Sequence, residues 1–534
     1  MTASFNLVDS PWIPCVTWGG DTVQVGLSDA LLRAHELREI TDPSPLIVAS
    51  LHRLALAVLH RVFGPANRAE WGKLWSAGHW PEAPLQQYFD RWYERFDLFH
   101  PEHPFFQAQD DRVKPKSVLH LIYSSGHNPT LFSHETDEEA IALSAAEAAR
   151  ALLASQTFHI AGTSGLQEEK FTDAPWTRGV IFLAQGETLF QTLALNLIRY
   201  PENEGRVKST PQDRPVWETD NPFLPEREYP LGYLDYLTWP NVRVKLIPDE
   251  DPAGIRVRSI TIAPGLRLSA DQQDPMKLYW PAKKEGWLLL RFSEERALWR
   301  SLHTFLALRD PQRRQPVSLD WLANLVDDGW LTLEERLRYM ALGMSNDQAK
   351  IYFYRHERFP LPLIYLKRQE LVGVLEQAIN LAEQTADALK WALETLAQFV
   401  LSPASDQEGA RKPDRKQDIR PLVDHWGGTR PYWQDLEPLF WELVDRLPDN
   451  PDMALEQWKQ SLHKQANQAL EQVAGTVGTA PEALKGAVEA RRRSSAPPAV
   501  GPRQCGEILQ APLNQGQLLL PSPTLDLFLS GDGF

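Results

Sequence analysis

The chain has 534 residues, 43% of them hydrophobic and 23% charged, with a net charge of −15. That length leaves room for roughly two to four domains with a large core, and the balance is that of a soluble globular protein. The negative charge argues against a protein whose whole surface grips polyanions, so a nucleic-acid contact has to be local and shared with a partner.

Cys15 and Cys505 are too few for a disulfide framework or a thiolate zinc site, which suits a reducing cytoplasm. The start of the sequence has no basic segment followed by an apolar run, and no apolar run is expected to span a bilayer. Phe5–Pro14 reads as a short strand ended by a proline turn. Cys15–Trp18 and Thr22–Val25, joined by Gly19-Gly20-Asp21, read as a hairpin. Ser28 predicts an N-cap for a helix over Asp29–Leu37. Asp42-Pro43-Ser44-Pro45 opens a second helix that Gly64-Pro65 closes. In it Leu51, Leu54, Val58 and Val62 form a stripe that Leu56 and Leu59 widen, which places it in a core with His52 and His60 as satisfied core or rim histidines.

A weaker helix surrounds Trp71 and Trp75, and Tyr88, Phe89, Trp92 and Phe96 mark a third over Leu85–Phe96. Ser117–Tyr123 reads as a strand. Ser124–Glu135 has loop chemistry around Leu131-Phe132: either a partner covers these apolar side chains or the loop folds back on its own core. Ser144 and Glu147 form a capping box for an Ala-rich helix to about Ser155. Ala161-Gly162-Thr163-Ser164-Gly165 is a small-residue loop without the phosphate-loop pattern, open to close approach by a ligand or equally a plain connection. Gly179–Leu183 predicts a strand, Leu189–Leu197 a strand or short helix, and Val242–Leu246 with Ile255–Ile262 two more strands. Asp249-Glu250-Asp251 reads as a solvated turn. Lys283-Lys284 sit on a basic turn closing a hairpin with Trp287–Phe292, and Arg296–Leu308 is a helix.

Met340–Pro362 is a hinge in composition. Gly343 and Ser345-Asn346-Asp347 favour a tight turn presenting Gln348, with Lys350, Arg355, His356 and Arg358 following among aromatics. Amides beside cations and aromatics suit a nucleic-acid contact; an ordinary inter-domain turn is the plainer reading. Beyond it, Leu371 to Val400 keep three-four spacing over one long helix. A charged linker at Ser402–Gln417 precedes helices around Leu436–Val444, Leu455–Val473 and Glu482–Arg492. The fold class is therefore α+β: a large mixed domain of helices and short antiparallel sheets over 1–362, a C-terminal four-helix bundle over 363–493, and a tail over 494–534.

No His-Glu-x-x-His, Gly-x-Ser-x-Gly, paired-cysteine or Rossmann signature occurs, so no catalytic residue, metal or cofactor is expected. Several motifs instead resemble one family. They are Phe5–Pro14, Ala30–Leu37, Asp42–Pro45, Leu51–Leu54, Gly126–Phe132, Glu295–Arg300 and Asn346–Gln348, in family order over about the first 360 residues. The family is CasA, the large subunit of the type I-E CRISPR surveillance complex called Cascade.

The resemblance implies a non-enzymatic, single-copy subunit of an RNA-guided antiviral complex, in which guide pairing reads the target and the protein reads a short flanking motif. It implies minor-groove reading by three elements. The glycine loop maps to Gly162, Thr163, Ser164 and Gly165, the lysine finger to Lys283 or Lys284, and the wedge that splits the first base pair to Gln348 beside Asn346 and Asp347. His127, Asn128, Pro129, Thr130, Leu131 and Phe132 resemble the loop that docks the guide RNA 5′ end and the CasD subunit. The other implied partners are double-stranded target DNA, CasB, CasC and the helicase–nuclease that cuts, in the cytoplasm without a membrane. Two competing readings are a metal-dependent nuclease or RNA-processing enzyme using Asp249, Asp251, His127 and His134, and a purely structural adaptor.

Overall fold

The helix Pro45–Phe63 is the spine of the first part of the molecule, and every residue from Val48 to His60 on it is buried. Pro45 pre-sets the first turn, Ser44 donates its backbone N–H to Asp42, and the Gly64 N–H closes the end on the His60 carbonyl. By length and composition this helix passes the test for a membrane span, contrary to the expectation from apolar runs. With 78% of its apolar stretch buried, it is accounted for as a core helix. Burial on all sides needs every polar group satisfied. His52 Nδ1 bonds the Val48 carbonyl at 2.8 Å, and Arg53 reaches the Leu237 carbonyl at 2.8 Å while stacking on Trp176 and Tyr236.

The computed structural model describes residues 3–122, 141–198, 206–251, 254–284, 286–308, 310–347, 350–402 and 413–494. The chain divides into two units, Met1–Glu383 with Thr429–Gln465, and Gln384–Gly428 with Ala466–Phe534. The helices expected to form a separate bundle are all present, as Gln369–Leu401, Arg430–Arg446, Pro451–Thr476 and Pro481–Ser494. They are not confined to one unit: the first and third each contribute to both, and Arg430–Arg446 belongs with the first.

Among the described residues of the first unit, five antiparallel sheets are set among helices. Ile13–Thr17 pairs with Thr22–Val25 on one side, as the hairpin reading requires, and with Leu37–Ile40 on the other. That second pairing corrects the helix expected over Asp29–Leu37. The helix is Leu27–Leu32, and Leu37 opposite Thr17 starts a strand. Its cap is Gly26 rather than Ser28, because the Leu7 and Val8 carbonyls already take the Leu27 and Ser28 N–H groups. An added Cβ at Gly26 would lie 2.4 Å from the Val8 carbonyl oxygen, so only glycine fits that approach. The strand expected over Ser117–Tyr123 is also shorter. Lys116–Ser117 pairs with Ser259 and Ile260, after which the Ser117 hydroxyl caps a 3-10 turn over Val118–Leu121.

The capping box at Ser144 and Glu147 is formed and starts the helix Ala145–Phe158. Val242–Asp251 and Gly254–Pro264 make a long antiparallel pair. Asp249, Glu250 and Asp251 therefore lie on a strand end rather than a turn, with Asp249 opposite Arg256 and ion-paired to Arg258 at 2.5 Å. Arg296 and Arg300, in the sequence motif before the helix Leu302–Leu306, both bind Glu383, and the Arg300 guanidinium lies 3.6 Å from the Trp433 ring centre. Burial lowers the Arg296 pKa while the Glu383 carboxylate raises it, so the ion pair offsets part of the cost of burying the guanidinium charge.

In the second unit, Glu394 accepts from Arg415 across a π-helical turn at Arg415–Ile419, and Gly486 closes against Phe399. The expected linker Ser402–Gln417 is thus partly helical at its far end.

Candidate nucleic-acid interface

The largest correction lies in Met340–Pro362. Gly343 and Ser345–Asp347 are not a tight turn but the distal half of a strand, Arg336–Asp347, paired along its length with Lys350–Pro362. Ile181–Gln185 backs only Arg338–Leu342, so the part beyond Leu342 continues as a two-stranded ribbon. The pairing runs on to Asp347 opposite Lys350, through a one-residue register shift between Ser345 and Asn346; Gln348 lies outside the described residues. Gly343 serves close approach rather than turning: at φ +151°, an added Cβ would sit 3.1 Å from the Gly179 carbonyl oxygen. Asn346 is buried, so its amide is part of the ribbon's interior rather than presented outward.

The lysine turn is built as expected. Tyr279–Pro281 pairs with Trp287–Leu289, the Ala282 N–H bonds the Gly286 carbonyl at 3.0 Å, and Lys283 and Lys284 are both exposed on the connection. Neither makes an ion pair with a described residue. The Trp287 ring, in the register pair next to the turn, carries the Arg314 guanidinium at 4.3 Å.

The small-residue loop is itself a hairpin: Gly162 pairs with Phe171 and Thr163 with Lys170. Ser164 is turned inward; its hydroxyl donates to the Glu169 carbonyl at 2.6 Å and accepts from the Leu166 N–H at 3.0 Å. Gly162, Thr163 and Gly165 are exposed, and nothing lies within 4 Å of a Cβ placed at either glycine. Gly165 has φ +82°, the left-handed conformation that closes the turn. Arg112 ties the hairpin down through Glu169 and Asp110.

These three segments share one support. From the small hairpin the chain returns to His159, whose carbonyl accepts from the Ala174 N–H at 2.8 Å and the Thr177 hydroxyl at 2.6 Å. His159 itself is half-buried against Phe171, and desolvation pulls its pKa down to about 4, keeping it neutral. The same stretch continues to Gly179, which meets Gly343 of the long hairpin, and to Val180, whose N–H bonds the Leu290 carbonyl at 2.9 Å just past the lysine hairpin. Arg355 of the long hairpin completes the link, donating to the Ser293 carbonyl at 2.8 Å with Phe292 beneath it. Lys277, fully buried, donates to the Pro175 carbonyl at 2.6 Å, and its pKa falls to about 8.

Of the cations after Gln348, Arg355 is thus half-buried and engaged by Ser293, and Arg358 binds Glu39 at 2.6 Å and donates to His356 Nε2 at 3.1 Å. Burial lowers the His356 pKa to about 4. His127, Asn128, Pro129, Thr130, Leu131 and Phe132, with His134, lie outside the described residues. Among the described residues no three His, Cys, Asp or Glu side chains form a metal-ion cluster. Cys15 is buried and its thiol pKa is pushed up to about 12.

A family model, CRISPR-associated protein Cse1, matches residues 6–469. The chain belongs to the Cse1 family. A CasA/Cse1 protein from Thermus thermophilus is 36% identical over 505 residues, covering 90% of this chain and 94% of its own. The crystal structure of Thermus thermophilus CasA superposes with a TM-score of 0.75 at 32% identity, over 92% of this chain and 98% of that one. A chain from a structure described as a CRISPR RNA-guided surveillance complex matches with a TM-score of 0.73 at 25% identity, over 92% of this chain and all of its own. The family that the sequence motifs resembled is therefore the family of this Cse1-type chain, and its mixed helices and small antiparallel sheets are those of Cse1 structures.

Proposed function

We propose that the chain is the non-catalytic large subunit of a type I-E RNA-guided surveillance complex in the cytoplasm, reading a flanking motif in duplex DNA and helping to open that duplex. The observation that carries this reading is the common support of the three candidate segments on residues 172–180 and 290–293. Elements that must meet neighbouring base pairs need fixed spacing, which a shared backbone frame supplies. In this reading Lys283 or Lys284 reaches the groove or a phosphate, Gly162, Thr163 and Gly165 let the backbone approach the groove floor, and Gln348 wedges into the first step. Ser164 and Asn346, both turned inward, shape their hairpins instead. Minor-groove reading is degenerate and leans on shape, which suits tolerance of several flanking sequences.

The residues His127–Phe132 are assigned to the guide RNA 5′ end and CasD, and the helices after residue 362 to CasB and target DNA. Recruitment of the helicase–nuclease completes the role. Adding the chain to a guide-bound subcomplex should tighten binding of flanked target duplex by about tenfold or more. Unflanked duplex should gain far less, and the chain alone should leave short duplexes uncut with divalent metal. Equal gains on both targets would make the chain a structural adaptor, and metal-dependent cleavage would make it an enzyme.

A further inference from the structure

The distal ribbon of the long hairpin carries one cation that no described residue holds in an ion pair. Arg355 is held by Ser293 and Glu357, and Arg358 by Glu39. Lys350, at the last register pair, is exposed and makes no ion pair with a described residue; its Nζ lies 5.3 Å from the centre of the Tyr352 ring. Tyr352 is itself among the exposed large apolar side chains, at 36%.

The ladder explains why that ring is outside. Asn346 is opposite Ile351 and Ser345 opposite Phe353, so Tyr352 is the extra residue of a β-bulge. A bulge leaves its residue unpaired and re-aims the side chain, here beside the Lys350 ammonium. An exposed aromatic next to such a cation is the pairing that grips single-stranded nucleic acid, the ring against a sugar or base and the charge on a phosphate.

We propose that Lys350 and Tyr352 form a binding site for one strand of a DNA duplex once it has been opened. The site rests on the strand-opening reading above, and it supplies what a wedge needs to work against re-annealing. A separated strand held on the flank of the ribbon cannot return to its partner until it is released. An amide wedge acts on the closed step; this site acts only after the step has parted. The two therefore respond differently to a target that is already open.

The test uses the guide-bound complex containing the full chain, with a matched flanked duplex and one mismatched beside the flank so that it is already open. On the pre-opened target, Lys350→Ala should lower the slope of log affinity against log salt by about 0.7, the value for one single-strand phosphate. Tyr352→Ala should weaken binding to that target about fivefold or more, while Tyr352→Phe and Lys350→Arg retain it. Unchanged slope and affinity on the pre-opened target for both alanine variants would overturn the site. So would a loss confined to the matched duplex, which would make Lys350 a duplex-docking cation. Gln348→Ala measured alongside separates the two ideas: a defect on the matched target alone upholds the wedge whatever the Lys350 result.

Discussion

The two hairpins that carry the candidate wedge and the candidate lysine finger are built on opposite principles. The wedge hairpin is long, paired from Arg336 opposite Pro362 to Asp347 opposite Lys350, backed by Ile181–Gln185 and pressed onto Gly179 through Gly343. The lysine hairpin has three register pairs, and both lysines stand exposed at its end. An element that forces base pairs apart must transmit load into a core, whereas one that senses a phosphate or a base edge needs reach more than stiffness. The difference predicts unequal responses to comparable changes.

Glycine substitutions give the largest contrast. Gly343→Val meets both an unfavourable φ and a backbone carbonyl 3.1 Å from its Cβ, so it should cost about 2–5 kcal/mol, seen as a fall in the urea midpoint. Gly286→Ala, at φ +110° with nothing within 4 Å, should cost about 1 kcal/mol. Equal losses would mean that the long hairpin is no better braced than the short one.

Acid should also distinguish them. His356 on the long hairpin accepts a hydrogen bond from Arg358, and its pKa is lowered to about 4 by burial and by that neighbouring charge. A base with a depressed folded pKa contributes stability that is complete above its unfolded value near 6.5 and lost as pH falls toward 4. Discounting for partial solvent access, the loss at pH 5 should be about 1 kcal/mol. Amide exchange corrected for intrinsic rates should therefore quicken over Lys350–Pro362 between pH 7 and pH 5, and not over Tyr279–Leu289. A parallel change in both would place the acid effect in the shared core.

Much of the fold was legible from local pattern. The proline-started, glycine-ended helix Pro45–Phe63, the capping box at Ser144, the hairpin around Gly19-Gly20-Asp21 and the long helix over Gln369–Leu401 all follow from neighbours in sequence. What escaped depends on distant partners. Met340-Ala341-Leu342 is buried and pairs with Ile181–Gln185; that strand is legible over Gly179–Leu183, but no short window shows the pairing. Without it, Gly343 and Ser345–Asp347 read as a turn, although the glycine is there for Gly179. Leu37 reads as helix until its register with Thr17 is known. The candidate site divides the same way: exposure of Lys283 and Lys284 followed from the turn, but the inward positions of Ser164 and Asn346 did not. Tyr352 could have been suspected as an aromatic beside Lys350; its bulge could not.

The smallest expected effect is at the lysine turn. Lys283→Ala and Lys284→Ala should leave the melting temperature unchanged, since both side chains are exposed. Removing a lysine that grips a phosphate should reduce the salt slope for flanked duplex by about one unit. If one lysine reads a base edge instead, its replacement should also narrow the difference between flanking sequences. A double variant that binds like the parent would show a solvated turn with no role in recognition.

The central claim, that the long hairpin drives Gln348 between bases, is tested most directly by strand opening with Gln348→Ala on matched and pre-opened targets. A neutral amide can replace lost base-pair hydrogen bonds without the desolvation cost of a charge. The wedge therefore predicts slow opening of the matched duplex and near-parental binding of the pre-opened one. An equal defect on both targets would contradict it and make Gln348 a docking or structural residue.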